Sequence, residues 1–367
     1  MLGEVFLAGA GLITGTLTSV TIHQRSGDTT LPYFRMPDCG LAGVEAIHYR
    51  IDSVVNEAVA EAGLTPAELQ RAGIFIGSTS FDMAGCEEAL KAISRETGAP
   101  CSEEDINRHV PSFTCLTAYL QQRFGLNGPL FTFNTACTSS ANALLYAAAM
   151  IRRGEIQHAL VLGLEFYNEV TALGFSALQL VSSGGMRPFS AERDGLWLGE
   201  ACGAVVLGKK KTPGSFRLLG GASMGDRFSM TASNPEGTFV EKVIRQALRN
   251  ASVSASEIAM AKAHGTASLS NDEAESAGMV RLFGTSCPPV VAIKPLIGHT
   301  LGACGIVELV LFCRGLQQGE LVSANTPFDS RFGLRPATPR DIPPQGNYLL
   351  NYFGFGGNST ALVIAHD

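Results

Sequence analysis

Three residues in this chain have the types and settings that chemistry needs. Cys137 ends a short β-prone run that begins Phe131-Thr132-Phe133, and an alanine-rich stretch follows it to Arg153, with Gly154 just beyond. The spacing predicts a strand, a tight elbow, then a helix from about Ser139 to Arg153, with small residues in its first turn, Ala147-Ala148-Ala149 inside and a glycine cap. A cysteine at such a helix start meets unpaired N–H groups and the positive end of the macrodipole. Both lower a thiol pKa of about 8.5 and favour a nucleophilic thiolate. His264, in Ala263-His264-Gly265-Thr266-Ala267-Ser268, and His299, in Lys294-Pro295-Leu296-Ile297-Gly298-His299-Thr300, are two of only seven histidines, and both sit at glycine-containing elbows. Any single cysteine is more often a small core residue, and any single histidine a hydrogen-bonded one. A thiol and two imidazoles at three such elbows point instead to nucleophilic and acid–base work.

The apolar pattern indicates what must hold these residues. The opening run, Met1-Leu2-Gly3-Glu4-Val5-Phe6-Leu7-Ala8-Gly9-Ala10-Gly11, carries an acidic residue where a leader would be basic and has no convincing cleavage pattern, so it reads as a first strand. A polar, irregular stretch is expected to about Gly43. Apolar residues at Val44, Ile47, Ile51, Val54, Val55, Ala58 and Val59 then predict a helix ending at Ala62. Thr65-Pro66 starts a second short helix, Ala72 to Gly77 reads as a buried strand, and helices are predicted from Cys86 to Glu96 and Leu116 to Phe124. Gly125 to Pro129 turns into the strand before Cys137, and Ala159 to Gly163 is another buried strand.

The second half echoes the first. Leu64-Thr65-Pro66-Ala67-Glu68-Leu69 leading to Ile74-Phe75-Ile76-Gly77 returns as Val253-Ser254-Ala255-Ser256-Glu257-Ile258 leading to Lys262-Ala263-His264. The helix from Cys137 to Glu155 returns between Gly298 and Glu320. Such duplication implies an α/β fold of two similar sheets with helices on both faces and a shared helical layer, divided into halves at 1–208 and 209–367.

Composition narrows the function classes. A chain of 367 residues, 46% apolar and 16% charged, suffices for a large core or two fused ones. A net charge of −6, with Lys209-Lys210-Lys211 as the densest basic run, argues against nucleic-acid binding. No apolar run reaches the roughly 18 residues of a membrane span. Nine cysteines without a C-x-x-C pair suggest neither a disulfide framework nor a zinc site, so no metal and a reducing, cytoplasmic setting are expected.

Asn134-Thr135-Ala136-Cys137-Thr138-Ser139-Ser140 resembles the nucleophile motif of the β-ketoacyl synthases, thiolase-fold enzymes that lengthen acyl chains on acyl carrier protein. The two histidine stretches resemble that family's histidine motifs, and Asn351-Tyr352-Phe353-Gly354-Phe355-Gly356-Gly357-Asn358 resembles its glycine-rich terminal loop. The likeness is strong from about Gly125 onward and weak before Ile74. It departs at Pro295 and Ser268, where Ser and Thr are common, at the position of Asn358, and in a short segment between Gly11 and Val44.

The resemblance implies a five-layered αβαβα thiolase-like fold of two pseudo-symmetric halves with the active site between them. It implies decarboxylative Claisen condensation of an acyl thioester with malonyl-acyl carrier protein, in fatty-acid or polyketide/polyene biosynthesis, with no cofactor. The partners implied are acyl carrier protein bearing phosphopantetheine-linked acyl and malonyl groups, and a second subunit, in a homodimer or ketosynthase heterodimer paired along Phe131–Phe133.

Roles follow from the same source. Cys137 would be the nucleophile. His264 and His299 would stabilise the enolate more than they activate the cysteine, because the helix dipole already favours the thiolate. The N–H groups of Cys137 and Phe355 would form an oxyanion hole, with Phe355 also the gate. Lys294 and Glu308 match a buried pair, and Thr266 and Ser268 match hydroxyls that hold the pantetheine arm. Phe353, Gly354 and Gly356 would border the substrate, and Asp272 would support the loop. Arg187-Pro188-Phe189, Glu192-Arg193-Asp194-Gly195 and Gly199-Glu200 read as scaffold.

Three alternatives fit less well. A thiolase needs a second cysteine near the C-terminus, and none occurs between Cys313 and Asp367. Coenzyme-A-primed condensing enzymes usually carry Asn in place of His299. A chain-length-factor-like subunit generally lacks the nucleophile that Cys137 supplies.

Overall fold

The computed structural model describes residues 3–23, 27–98, 112–212, 214–343 and 345–366; Cys101 and the first two residues of the opening run lie outside them. In chain order the strands are β1 (Phe6–Thr14), β2 (Thr16–Ile22), β3 (Thr29–Arg35), β4 (Gly73–Gly77), β5 (Leu130–Phe133), β6 (Ala159–Glu165), β7 (Leu198–Gly199), β8 (Ala201–Gly208), β9 (Arg217–Gly225), β10 (Ile258–Lys262), β11 (Val290–Val291), β12 (Gly346–Phe353) and β13 (Asn358–His366). The helices are α1 (Gly43–Ala62), α2 (Pro66–Gln70), α3 (Phe81–Thr97), α4 (Phe113–Phe124), α5 (Ser139–Arg153), α6 (Glu169–Ala177), α7 (Thr238–Ala251), α8 (Leu269–Phe283), α9 (Lys294–Ile297) and α10 (Cys304–Gln318).

The duplication legible in the sequence is a duplication in space. One set of strands lies in the order β1-β8-β6-β4-β5 and the other in the order β9-β13-β12-β10-β11. In both, the first two pairings are antiparallel and the last two parallel. The sets join into one ten-stranded sheet through Phe6 and Arg217. Even the local punctuation repeats: Thr65 with Glu68, and Ser254 with Glu257, each form a capping box before the strand that follows.

Three apolar cores separate five layers. Residues of α1 and α4 pack on one face of the first sheet, and residues of α7 and α8 on one face of the second. The shared core between the sheets takes Leu144, Ala147 and Ile151 from α5 and Ile306, Leu309 and Val310 from α10, against Val161 and Val205 on one side and Leu350 and Leu362 on the other. The two central helices approach at Gly305, where a Cβ would fall 2.2 Å from the backbone nitrogen of Ala141, so only glycine fits there.

Two local expectations are corrected. The stretch expected to be irregular to Gly43 holds a hairpin, with β2 and β3 antiparallel from Thr16/Arg35 to Ile22/Thr29 and β7 added alongside. Thr16-Leu17-Thr18-Ser19-Val20-Thr21-Ile22 is β-branched but mostly exposed, so it lacks the apolar alternation by which a half-buried strand is recognised. Helix α3 begins at Phe81 rather than Cys86, because the Ser78 hydroxyl accepts the N–H of Phe81 and starts the helix in what reads as a polar loop. Among the described residues, no helix is long and apolar enough to cross a membrane.

Candidate active site

The cysteine elbow is held from both halves of the chain. Ala136 adopts φ 53°, a left-handed conformation costly for a residue with a Cβ, immediately before Cys137. Thr138 and Asn142 absorb that cost: Thr138 Oγ1, with its one proton, lies 2.7 Å from Thr135 O and 2.6 Å from Asn358 Oδ1, and Asn142 Nδ2 donates to Thr135 Oγ1 at 2.8 Å and Asn358 Oδ1 at 3.0 Å. Two further non-glycine residues with positive φ flank the other loops, Ala267 at 62° after Thr266 and Leu301 at 42° after His299. Strained backbone of this kind persists where surrounding contacts over-determine it, which is common at functional sites.

Helix α5 starts at Ser139 as predicted, with Thr138 as its N-cap, so Cys137 lies one residue before the cap. The expected low thiol pKa is overturned. Burial pushes the thiol up to about 12, while the Lys294 charge and the backbone N–H groups of Phe355 and Cys137 pull in the opposite direction without prevailing. Desolvation outweighs the helix terminus, and the resting group is a thiol. Its partner is His299, whose Nε2 lies 3.1 Å from Sγ. The premise that the dipole alone supplies the thiolate therefore fails.

His264 stands edge-on to His299, ring centres 5.4 Å apart. Both imidazoles are held well below their ordinary pKa, first by burial and then by the positive charge of Lys294, with Lys262 acting in the same direction. Both are neutral near pH 7. Donor atoms of Cys137, His264 and His299 lie within 4.8 Å of one another, a spacing that could also grip a soft metal ion. Two ammonium groups behind the histidines oppose a dication there, and the cluster reads as nucleophile and proton-handling groups.

The histidine loops are anchored by charge. Lys294 Nζ donates to His264 O at 2.6 Å, lies 3.2 Å from His264 Nδ1, and pairs with Glu308 Oε1 at 2.7 Å. Glu275 accepts the N–H groups of His264 at 2.8 Å and Gly265 at 2.9 Å, and burial raises its pKa despite them. Glu165 at the end of β6 accepts the N–H groups of Thr79 at 3.0 Å, Ser80 at 2.9 Å and Gly302 at 2.9 Å, tying the first half to the His299 loop. Sequence reasoning gave no role to Glu275, Glu165, Lys262 or Asn351. A charged residue ending an otherwise apolar strand, as Lys262 ends β10, was the available signal.

A pocket partly open to solvent has Cys137, His264 and His299 in its wall. Thr266, Ser268, Phe353, Gly354 and Phe355 also line it. Thr266 and Ser268 join hydroxyls at 3.0 Å, and the Phe355 ring stacks on Phe175 with centres 5.8 Å apart. Gly354 lets the terminal loop come close: a Cβ there would lie 3.2 Å from the Cys137 nitrogen. Gly356 sits exposed at the loop tip and gives its N–H to Met230 O at 2.7 Å. Lys294, Glu308 and Asp272 are not in the cavity wall. Asp272, raised to about 7 by burial, accepts the N–H of Phe189 at 2.7 Å, and Arg193 lies beside it at 3.9 Å, which makes that segment scaffold.

Sequence comparison agrees with this geometry. Residues 36–212 match the family described as beta-ketoacyl synthase, N-terminal domain, and residues 217–326 its C-terminal domain. The chain belongs to the β-ketoacyl synthases. It is 29% identical to 3-oxoacyl-[acyl-carrier-protein] synthase II, chloroplastic, of Arabidopsis thaliana, over 84% of this chain and 61% of that protein. It is 31% identical to the synthase I of the same plant, over 68% and 56% respectively, and 30% identical to putative polyketide beta-ketoacyl synthase 1 of Streptomyces cyaneus, over 72% and 66%. The chain thus spans under two thirds of the length of these curated relatives. Among solved structures, the ketosynthase ApeO in complex with its chain length factor ApeC from Xenorhabdus doucetiae superposes with TM-score 0.81 at 25% identity, covering 100% of this chain and 98% of that one. A type II polyketide ketosynthase complex, AntDE:AntF, shares the fold with TM-score 0.84 at 23% identity, covering both chains fully.

Proposed function

We propose that this protein is a 3-oxoacyl-[acyl-carrier-protein] synthase that condenses an enzyme-bound acyl group with a malonyl thioester. The observation that carries the reading is the 3.1 Å approach of His299 Nε2 to Cys137 Sγ, beside His264 in the wall of a cavity. His299 takes the thiol proton as sulfur attacks the acyl thioester. The oxyanion so formed faces the N–H groups of Cys137 and Phe355, and the departing phosphopantetheine sulfur receives the proton from His299. The malonyl thioester then loses carbon dioxide, and the electron pair of the broken C–C bond passes to an enolate oxygen. The enolate carbon attacks the acyl group on Cys137, forming the new C–C bond as the C–S bond breaks.

His264 is suited to the enolate. Lys294 is an ammonium and only donates, so His264 Nδ1 must accept from it and the ring proton must sit on Nε2, at the opposite edge. That leaves a neutral N–H donor for the developing charge. The labour is divided accordingly, His299 to the thiol and His264 to the enolate. A chain-length-factor-like role is disfavoured by the same cluster, since such a subunit has no use for an activated thiol.

The partners we propose are an acyl carrier protein and a second ketosynthase-like subunit. Strand β5 is the last strand of the sheet, with half-buried Phe131 edge-on to, and Phe133 tilted against, Tyr146 of α5, which is 40% exposed. An open edge backed by aromatic rings suits pairing with another chain. Intact-mass spectrometry after incubation with a panel of acyl-carrier proteins, together with carbon dioxide release from malonyl-carrier protein, tests the reading. Acylation at one site and release of carbon dioxide support it; absence of both with every carrier overturns it. Sedimentation showing a stable monomer at micromolar concentration would contradict the pairing.

A further inference from the structure

Lys262 is not used by this reaction. It ends β10 two residues before His264, so on extended backbone the two side chains leave the same face. The residue is fully buried, and its ammonium finds three partners: Glu308 Oε2 at 2.5 Å, Asn351 O at 2.7 Å and the face of Tyr352, centroid 3.7 Å away. Burial and repulsion from Lys294 pull its pKa down, and Glu308 opposes them.

These contacts belong to a closed circuit. Glu308 passes from Lys262 to Lys294, Lys294 to His264, and the His264 N–H to Glu275. Asn351 Nδ2 then meets Glu275 at 3.2 Å while its carbonyl returns to Lys262. Two lysines and two glutamates, all at most 1% exposed, surround one histidine. A buried carboxylate with one cation draws it onto both oxygens, whereas a carboxylate with two gives each a single oxygen.

We infer that Lys262 is a positioning residue for His264: by occupying Oε2 of Glu308 it leaves Lys294 one carboxylate oxygen and keeps that ammonium turned onto His264 Nδ1, which fixes the ring proton on Nε2. The inference rests on the condensation proposed above, because only the enolate step calls on that Nε2–H. Without the second cation, Glu308 takes Lys294 for itself. The imidazole then also populates the tautomer with its proton on Nδ1, which offers the enolate no donor.

Lys262→Met is compared with wild type in three measurements: acyl transfer to Cys137 by intact mass, carbon dioxide release from malonyl-carrier protein, and the 15N spectrum of histidine-labelled protein, which separates the two tautomers. Acyl transfer stays within about twofold, decarboxylation falls by at least about tenfold, a fraction of the loss expected for removing an oxyanion donor outright, and part of the His264 signal moves to the Nδ1–H form. Lys262→Gln, which still has a donor for Asn351 O but no charge, behaves the same way and serves if the Met variant does not fold. The inference is overturned if His264 keeps its tautomer in the neutral variants, if both half-reactions fall together with thermal stability, or if neither variant folds, since the lysine is then a structural support. Should wild type release no carbon dioxide while the tautomer still shifts on substitution, the condensation reading fails and the positioning role stands.

Discussion

The two central helices are copies with different duties. Helices α5 and α10 each span 15 residues, each end at a glycine in the left-handed conformation, and each follow a loop that gives one residue to the cavity wall, Cys137 before α5 and His299 before α10. At the fifth residue α5 carries Ala143 and α10 carries Glu308. The first half therefore presents a thiol among small, uncharged neighbours, while the second surrounds its histidines with Lys262, Glu275, Lys294 and Glu308. Duplication supplied two equivalent positions, and the side chains placed there separated bond-making from charge control. Burial acts oppositely on the two: it leaves the thiol protonated and the imidazoles neutral, so the first half needs a base and the second supplies it.

The most severe way to break this comparison is to remove the one group it assigns to the first half. Cys137→Ala should abolish the acyl-enzyme mass shift while circular dichroism shows an unchanged fold; a surviving covalent acyl adduct would move the nucleophile elsewhere. On the other side, Glu308→Ala leaves two buried ammonium groups without their shared carboxylate, which should destabilise the protein by about 3–5 kcal/mol in denaturant titration. A loss below about 1 kcal/mol would mean the lysines are not charged. His264→Ala should cut carbon dioxide release by about 10²–10³ while Cys137 still accepts an acyl group, whereas His299→Ala should slow acyl transfer as well. Equal effects of both substitutions on both steps would erase the proposed division of labour. Finally, because the thiol is pushed up to about 12, its thiolate fraction rises with pH throughout the neutral range. Alkylation of Cys137 by iodoacetamide should accelerate about tenfold per pH unit from 7 to 9; a plateau near neutrality would reveal a preformed thiolate–imidazolium pair.

Much of this arrangement was legible in the sequence, for identifiable reasons. Helix α5 and its glycine cap were predicted to the residue, because Ser139 to Arg153 has small residues, alanines and terminal arginines in the order a helix wants. The internal repeat was readable because both capping boxes, Thr65/Glu68 and Ser254/Glu257, kept their spacing. The placement of Cys137, His264 and His299 in one cavity wall followed from family resemblance rather than from periodicity. The thiol's protonation state did not follow, because a sequence shows the helix terminus but not the depth of burial that outweighs it. Lys262 was overlooked although it ends the apolar strand β10, and the circuit that gives it and Glu275 meaning closes through Asn351 and Glu308, contacts between distant residues that leave no local pattern.

One feature of the sheet bears on how the molecule is made. Strand β13 lies between β12 and β9, inside its sheet, and its first residue, Asn358, accepts the hydrogen bonds of Thr138 and Asn142 that hold the cysteine elbow. During synthesis the thiol thus emerges some 220 residues before the residue that fixes its geometry. Ribosome-arrested chains stalled before Asn358 should leave Cys137 open to bulky maleimides that chains extended past β13 exclude, because the elbow is fixed only once Asn358 is in place.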